Sequence, residues 1–174
     1  MANDWQLLSG LIKSSHEAAL ATLEDDWPRR PPAGASLSKP QAAACQSWPY
    51  ASATGYILDD EKRLAVDILL SRLARHTKNI LKNPAVSLLV VESKAKAPVH
   101  EKMRATLRGQ AFPVQEKEAF ERLKLAYLEK FPKAEIFFTL PDFAFYRIEP
   151  QEIHWIAGFG KACTFVFRDG KWRE

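Results

Sequence analysis

The sequence is poor in cysteine: Cys45 and Cys163 are its only two in 174 residues. Two cysteines without metal-type spacing exclude a disulfide framework and a zinc site, so free thiols are expected. Other signatures are also missing. There is no phosphate-cradling glycine loop, no HExxH helix and no Ser-His-Asp order, which excludes the commonest nucleotidase and hydrolase chemistries. No apolar run approaches the roughly 20 residues that a helix needs to cross a bilayer, so no membrane partner is expected. The stretch "MANDWQLLSGLIKSSHEAAL" carries an acid where a secretory leader is positive and lacks a clean apolar segment, which predicts a cytoplasmic location.

What is present describes a folded protein. Apolar residues make up 47% and charged residues 26% of the chain, as in soluble globular domains. The length suits one domain over 1–174, with enough chain to bury a core. A net charge of +4 points to an anionic partner. The cations alternate with Asp and Glu along most of the chain, so a phosphorylated small molecule fits this balance at least as well as nucleic acid, and none of the latter is expected.

Periodicity then divides the chain. Trp5, Leu8, Leu11 and Ile12 share one face of a short helix that Asp4 can cap. "AALATL" reads as a strand. The segment 24–48, rich in Pro, Ala and Ser, reads as a loop insertion without a core of its own. "PYASATGYIL" and "RLAVDILL" pair as a hairpin across "DDEK". A helix follows, with Leu73, Thr77, Ile80 and Leu81 on one face, and Asn83-Pro84 stops it. "AVSLLVV" and "MRATLRGQAFPV" are further strands, the latter with a bulge expected at Gly109. A helix over "QEKEAFERLKLAYLEKF" turns Phe120, Leu123, Tyr127 and Phe131 inward. Three short strands close the chain: "FAFYRIEP", "EIHWIAGF" and "ACTFVFRDGKW". The pattern predicts a mainly β protein, an antiparallel barrel with flanking helices.

One cluster asks for a chemical reading. "SRLARHTKN" at 71–79 packs Ser71, Arg75, His76, Thr77 and Lys78 where an apolar strand hands over to a helix. Free backbone N–H groups and the helix dipole favour an anion at such a junction, and guanidinium and hydroxyl groups suit phosphate oxygens. The plainer alternative is a solvated helix face.

"WPYASATGY", "SRLARHTKN", "KNPAVSLLV", "RATLRGQA", "LPDFAFYRIEP" and "IHWIAGFGKA", in this order, resemble the FMN-binding split-barrel proteins related to pyridoxamine 5′-phosphate oxidase. The resemblance is to the HugZ-like branch and covers 16–167 apart from the insertion. It implies a six-stranded split barrel, a homodimer, and FMN sites at the dimer interface. It further implies that Ala51, Ser52 and Ala53 edge the flavin ring. Ser71, Arg75, His76, Thr77 and the adjacent Lys78 would take the phosphate and ribityl chain. Arg104 would approach the pyrimidine end, and Trp155, Phe159 and Lys161 would come from the closing strands.

Haem-degrading members of that branch use a histidine near the C-terminus as axial ligand. No histidine follows His154 here, so a haem imidazole would have to be His16, His76, His100 or His154. Asp142 matches an acid that those members keep near the ligand, and its expected role here is capping or pairing with Arg147. The substrate pair of the vitamin oxidases is missing from "WIAGFGKACTF". The expected function is therefore an FMN-dependent oxidoreductase with no assignable catalytic residue and no metal. Haem binding or degradation is the alternative, and a non-catalytic flavin module a second one.

Overall fold

The computed structural model describes residues 2–25, 47–93 and 96–174. Cys45 and nearly all of the expected 24–48 insertion lie outside the described residues.

Helix α1 (Ala2–Ser14) leads into β1 (Glu17–Glu24), β2 (Trp48–Asp60) and β3 (Ala65–Ser71). Helix α2 (Arg75–Lys82), β4 (Ala85–Val91), β5 (Arg104–Pro113) and helix α3 (Lys117–Lys130) follow, and then β6 (Phe143–Ile156), β7 (Ala162–Arg168) and β8 (Lys171–Arg173). The sheet runs β3-β2-β1-β4-β5-β6, and β6 returns to pair with β3. Six antiparallel strands thus close into a barrel, as the sequence predicts, and closure leaves those strands no open edge. Strands β7 and β8 extend the sheet from β6 as a hairpin whose turn, Asp169-Gly170, has both residues at positive φ.

Alternation decides what fills the barrel. In β4, Val86, Leu88 and Val90 are buried inside while Ser87, Leu89 and Val91 face out. The interior also holds Leu20, Tyr56, Ile68, Leu107, Ile153 and Trp155. Helix α1 plugs one end with Leu8, Leu11 and Ile12, and the Tyr56 hydroxyl donates to the Ile12 carbonyl at 2.7 Å. Helix α2 contributes Ile80 to the same core.

A second apolar layer lies outside the barrel. Helix α3 and a 3₁₀ helix (Pro132–Thr139) cover Ile57, Leu69 and Phe145 with Leu123, Tyr127 and flanking phenylalanines. Strand β3 is therefore covered on both faces, which explains why "AVDILL" is apolar almost throughout. Asp67 is the exception, fully buried beneath α3. Arg147 of β6 donates to it with Nε and Nη2, each at 3.2 Å, and also bonds Asp59, which Arg122 of α3 pairs as well. Hydrogen bonding from Arg122 holds Asp59 below the usual carboxylate range. Burial raises Asp67 against the pull of Arg147.

Three expectations need correction. "FAFYRIEP" and "EIHWIAGF" are one 14-residue strand, not two. Pro150, which has no N–H to donate, sits where the β5–β6 register slips opposite Gly109, so the strand passes it without losing its pairing. Leu73 lies in the turn before α2 and is exposed, as is Leu81 within the helix, while Asn79 turns inward to donate to Thr22 Oγ1 at 3.0 Å. Arg147 is committed to Asp59 and Asp67, so it is not the partner of Asp142.

The expected bulge at Gly109 is present. A Cβ there would lie 2.0 Å from the Glu149 carbonyl oxygen. Gly109→Ala should accordingly cost about 1–3 kcal/mol in urea unfolding, since backbone must move to admit the methyl. Arg147→Met should cost about 3–5 kcal/mol by stranding a buried carboxylate. Arg122→Met, at a more exposed pair, should cost under about 1 kcal/mol; equal losses in the two arginine variants would refute this division.

Candidate functional site

The 71–78 cluster does converge at the β3–α2 corner, but most of its donors are already bound. Ser71 Oγ donates to Asp142 Oδ2 at 2.5 Å and accepts the Leu73 N–H at 3.1 Å. Thr77 is buried and gives its hydroxyl to the Ser71 carbonyl at 2.7 Å. Arg75 lies 3.4 Å from Glu24 Oε1 and over the Tyr50 ring. His76 Nδ1 is 3.1 Å from Ser52 Oγ, and burial lowers its pKa. Lys78 is exposed. The carboxylates of Asp142 and Glu24 therefore stand beside the groups expected to meet a phosphate dianion, and like charges at such range repel.

An open concavity lies elsewhere, on the outside of the barrel beside β1. Alternation turns Ala51 and Ala53 of β2 outward, whereas Ser52 faces α2. Register sets Ala53 beside Ala19 of β1, and Ala19 beside Leu89 of β4. These small side chains form the floor of a groove of about 1020 Å³. Its rim carries His16 and Ser15 from the α1–β1 connection, with Glu92, Ser93 and Lys102 at the β4–β5 end.

The His16 end is pinned from below. Lys130 of α3 donates from Nζ to the Ser15 carbonyl at 2.6 Å and lies over the Tyr56 ring, 4.6 Å from its centroid. Burial lowers the Lys130 pKa. The His16 ring meets Phe131 edge-on, with centroids 5.9 Å apart.

The remaining expected residues are dispersed. Arg104 donates to the carbonyls of Val99 and Lys102 at 3.1 and 3.2 Å, which ties down the loop before β5. Trp155 is fully buried in the barrel, and among the described residues its indole Nε1 has no hydrogen-bond partner. Phe159 stands 83% exposed on the β6–β7 turn with its ring edge toward His100. Lys161 shares a cleft of about 350 Å³ with Trp155 and Cys163. Thus Ala51, Ser52 and Ala53 border the groove, and the other expected residues do not. Leu89, Val91 and Lys102 escape sequence reasoning, and His16 enters it only as one of four possible haem imidazoles. The one sequence signal for the groove floor is the alternation of "HEAALA", which turns Ala19 and Ala21 outward and Ala18 inward.

Residues 11–169 match the family model described as "CREG, beta-barrel". The chain is 40% identical over 96 residues to the non-canonical heme oxygenase HOZ of Arabidopsis thaliana, a chloroplastic protein. The match covers 55% of this chain and 28% of that one. It is 29% identical over 98 residues to the heme oxygenase HutZ of Vibrio cholerae, covering 55% and 56% of the two chains. The matched stretches thus span between about a quarter and just over half of these relatives. A heme-binding protein from Mycobacterium smegmatis shares the fold, with a TM-score of 0.73 at 20% identity, over 94% of this chain and 57% of that one.

These findings overturn the expectation of FMN. The relatives are described by haem, and the corner expected to seat the FMN phosphate has its hydroxyls and its guanidinium engaged by protein carboxylates and carbonyls.

The lowered pKa of His76 has a measurable consequence. Between its folded pKa and the unfolded value of about 6.5 the unfolded chain binds more protons, so stability falls as pH drops through that window. The urea midpoint of the wild type should fall relative to that of His76→Gln between about pH 7.5 and 5.5. Parallel pH profiles would contradict the burial of this imidazole.

Proposed function

The chain belongs to the CREG beta-barrel family, and from that premise we propose that it binds haem in the groove beside β1 and serves haem breakdown. The observation that carries this reading is the chemistry of the groove. A planar macrocycle wants flat apolar contact, and the floor offers Ala19, Ala51, Ala53, Leu89 and Val91. Its carboxylates want a cation at the rim, and Lys102 supplies one. An imidazole is present at the opposite end in His16. The same set lacks the concentration of free phosphate donors that a nucleotide requires. Two curated relatives are heme oxygenases, which supports the reading from sequence.

Haem supplies iron and a conjugated ring for oxygen chemistry. The protein's part would be to hold the ring against the alanine floor and to orient its carboxylates. Glu17 and Glu92 also line the groove, and their charge opposes a second anion there.

We also propose a homodimer. Beyond the groove floor, the outer sheet face continues through Ala21 and Ser87 to Arg108, whose guanidinium is paired with Glu152, while Thr106 lies beside Leu89. A second copy of the chain is the occupant that suits a flat face of this composition. Light scattering should give about twice the 19.7 kDa chain mass; a single chain mass would remove the dimer.

Titration of the purified chain with haemin should give a saturable Soret shift near one haem per chain. Lys102→Glu should weaken binding by about 3–10-fold, the loss of one exposed cation–carboxylate contact together with the repulsion that replaces it. A wild-type protein that leaves the haemin spectrum unchanged would end this reading.

A further inference from the structure

Four histidines are available to the chain, and their placement distinguishes them. His76 sits on α2, on the inward side of β2, with Nδ1 at Ser52 Oγ. His100 is held edge-on to Phe159 in the 3₁₀ turn Val99–Glu101, outside the groove lining. His154 shares the outer sheet face, but register sets it beside Thr106, which lies beside Leu89. It is therefore two strands beyond the groove floor, on the order of 10 Å at ordinary strand spacing, and its Nδ1 is 3.2 Å from Thr164 Oγ1. His16 alone of the four lines the groove.

We propose that His16 is the axial ligand of haem in this groove, an assignment that rests on the haem reading above. Three observations support it besides location. Among the described residues neither ring nitrogen of His16 has a hydrogen-bond partner, so the unprotonated nitrogen of the neutral ring is uncommitted. Phe131 fixes the ring plane by an edge contact with an interplanar angle of 85°. The preceding residue is anchored twice, by Ser15 N–H to the Leu11 carbonyl at 3.0 Å and by Lys130 to the Ser15 carbonyl. A ligand held on a pinned backbone and oriented by a packed neighbour loses little freedom on binding, which favours coordination.

The test compares haemin titrations of the full chain in the wild type and in the single alanine variants at His16, His76, His100 and His154, read by absorbance and by electron paramagnetic resonance. His16→Ala should lower haem affinity by more than about 10–100-fold, the loss that removal of even an outer-shell partner brings. It should also change the ligand-field signature, and added imidazole should restore the wild-type Soret position. His154→Ala and His100→Ala should leave both unchanged. Circular dichroism and a second substitution, His16→Gln, control for folding, and the glutamine variant should lose the same signature. If the wild type binds haem and His16→Ala keeps its spectrum and affinity, the assignment is overturned while the haem reading stands. If the wild type itself gives no Soret shift, the haem reading falls, whatever His16 does.

Discussion

Strand β6 bonds to β5 over almost its whole length and to β3 over its first half. That double pairing turns a sheet into a barrel, and everything functional is arranged around the closed cylinder. It obliges β3 to be covered on two sides, which calls for α3, and it leaves β1, β4 and the first half of β2 with an uncovered outer face. A proline inside such a strand would ordinarily break it. The slip opposite Gly109 removes the need for the missing N–H, so the chain can afford Pro150 without opening the cylinder.

The uncovered face and the crowded corner divide the chemistry between them. At the β3–α2 junction the polar groups satisfy one another: Ser71 with Asp142, Arg75 with Glu24, and Thr77 with the Ser71 backbone. Such a junction is a structural knot, well suited to fixing α2 on the barrel end. Beside β1 the groove floor is built from Ala19, Ala51, Ala53, Leu89 and Val91, small and aliphatic side chains that turn outward from the sheet. A polar cluster in the sequence thus marks the place that holds the fold together, and a run of alanines marks the place that remains available.

Much of the fold was legible because alternation is a local signal. The β2–β3 hairpin, β4, the Gly109 bulge and the inward face of α3 all follow from spacing within a dozen residues. The single length of β6 was not legible, because Pro150 ends a strand by local rules and is rescued only by a partner some forty residues earlier. Helix α2 misled for a related reason: Asn79 is polar and yet inward, held by Thr22 of a distant strand. The candidate site was the least legible part. Its floor is assembled from β1, β2 and β4, and no short stretch contains more than a few of its residues. Donor types at 71–78 suggested a phosphate, but sequence does not say whether a donor is already engaged, and Asp142 and Glu24 engage these. The resemblance to the split-barrel family gave the architecture correctly and the cofactor incorrectly.

The ammonium of Lys130 reaches from the last turn of α3 to the carbonyl of Ser15, across the ring of Tyr56. The outer helix and the groove rim are therefore one mechanical unit. A change in how Leu123 or Tyr127 seats against the barrel would be transmitted through that tether to the threshold of the groove. Substitutions on the far side of the molecule would in this way alter what the groove admits while every residue lining it stays the same.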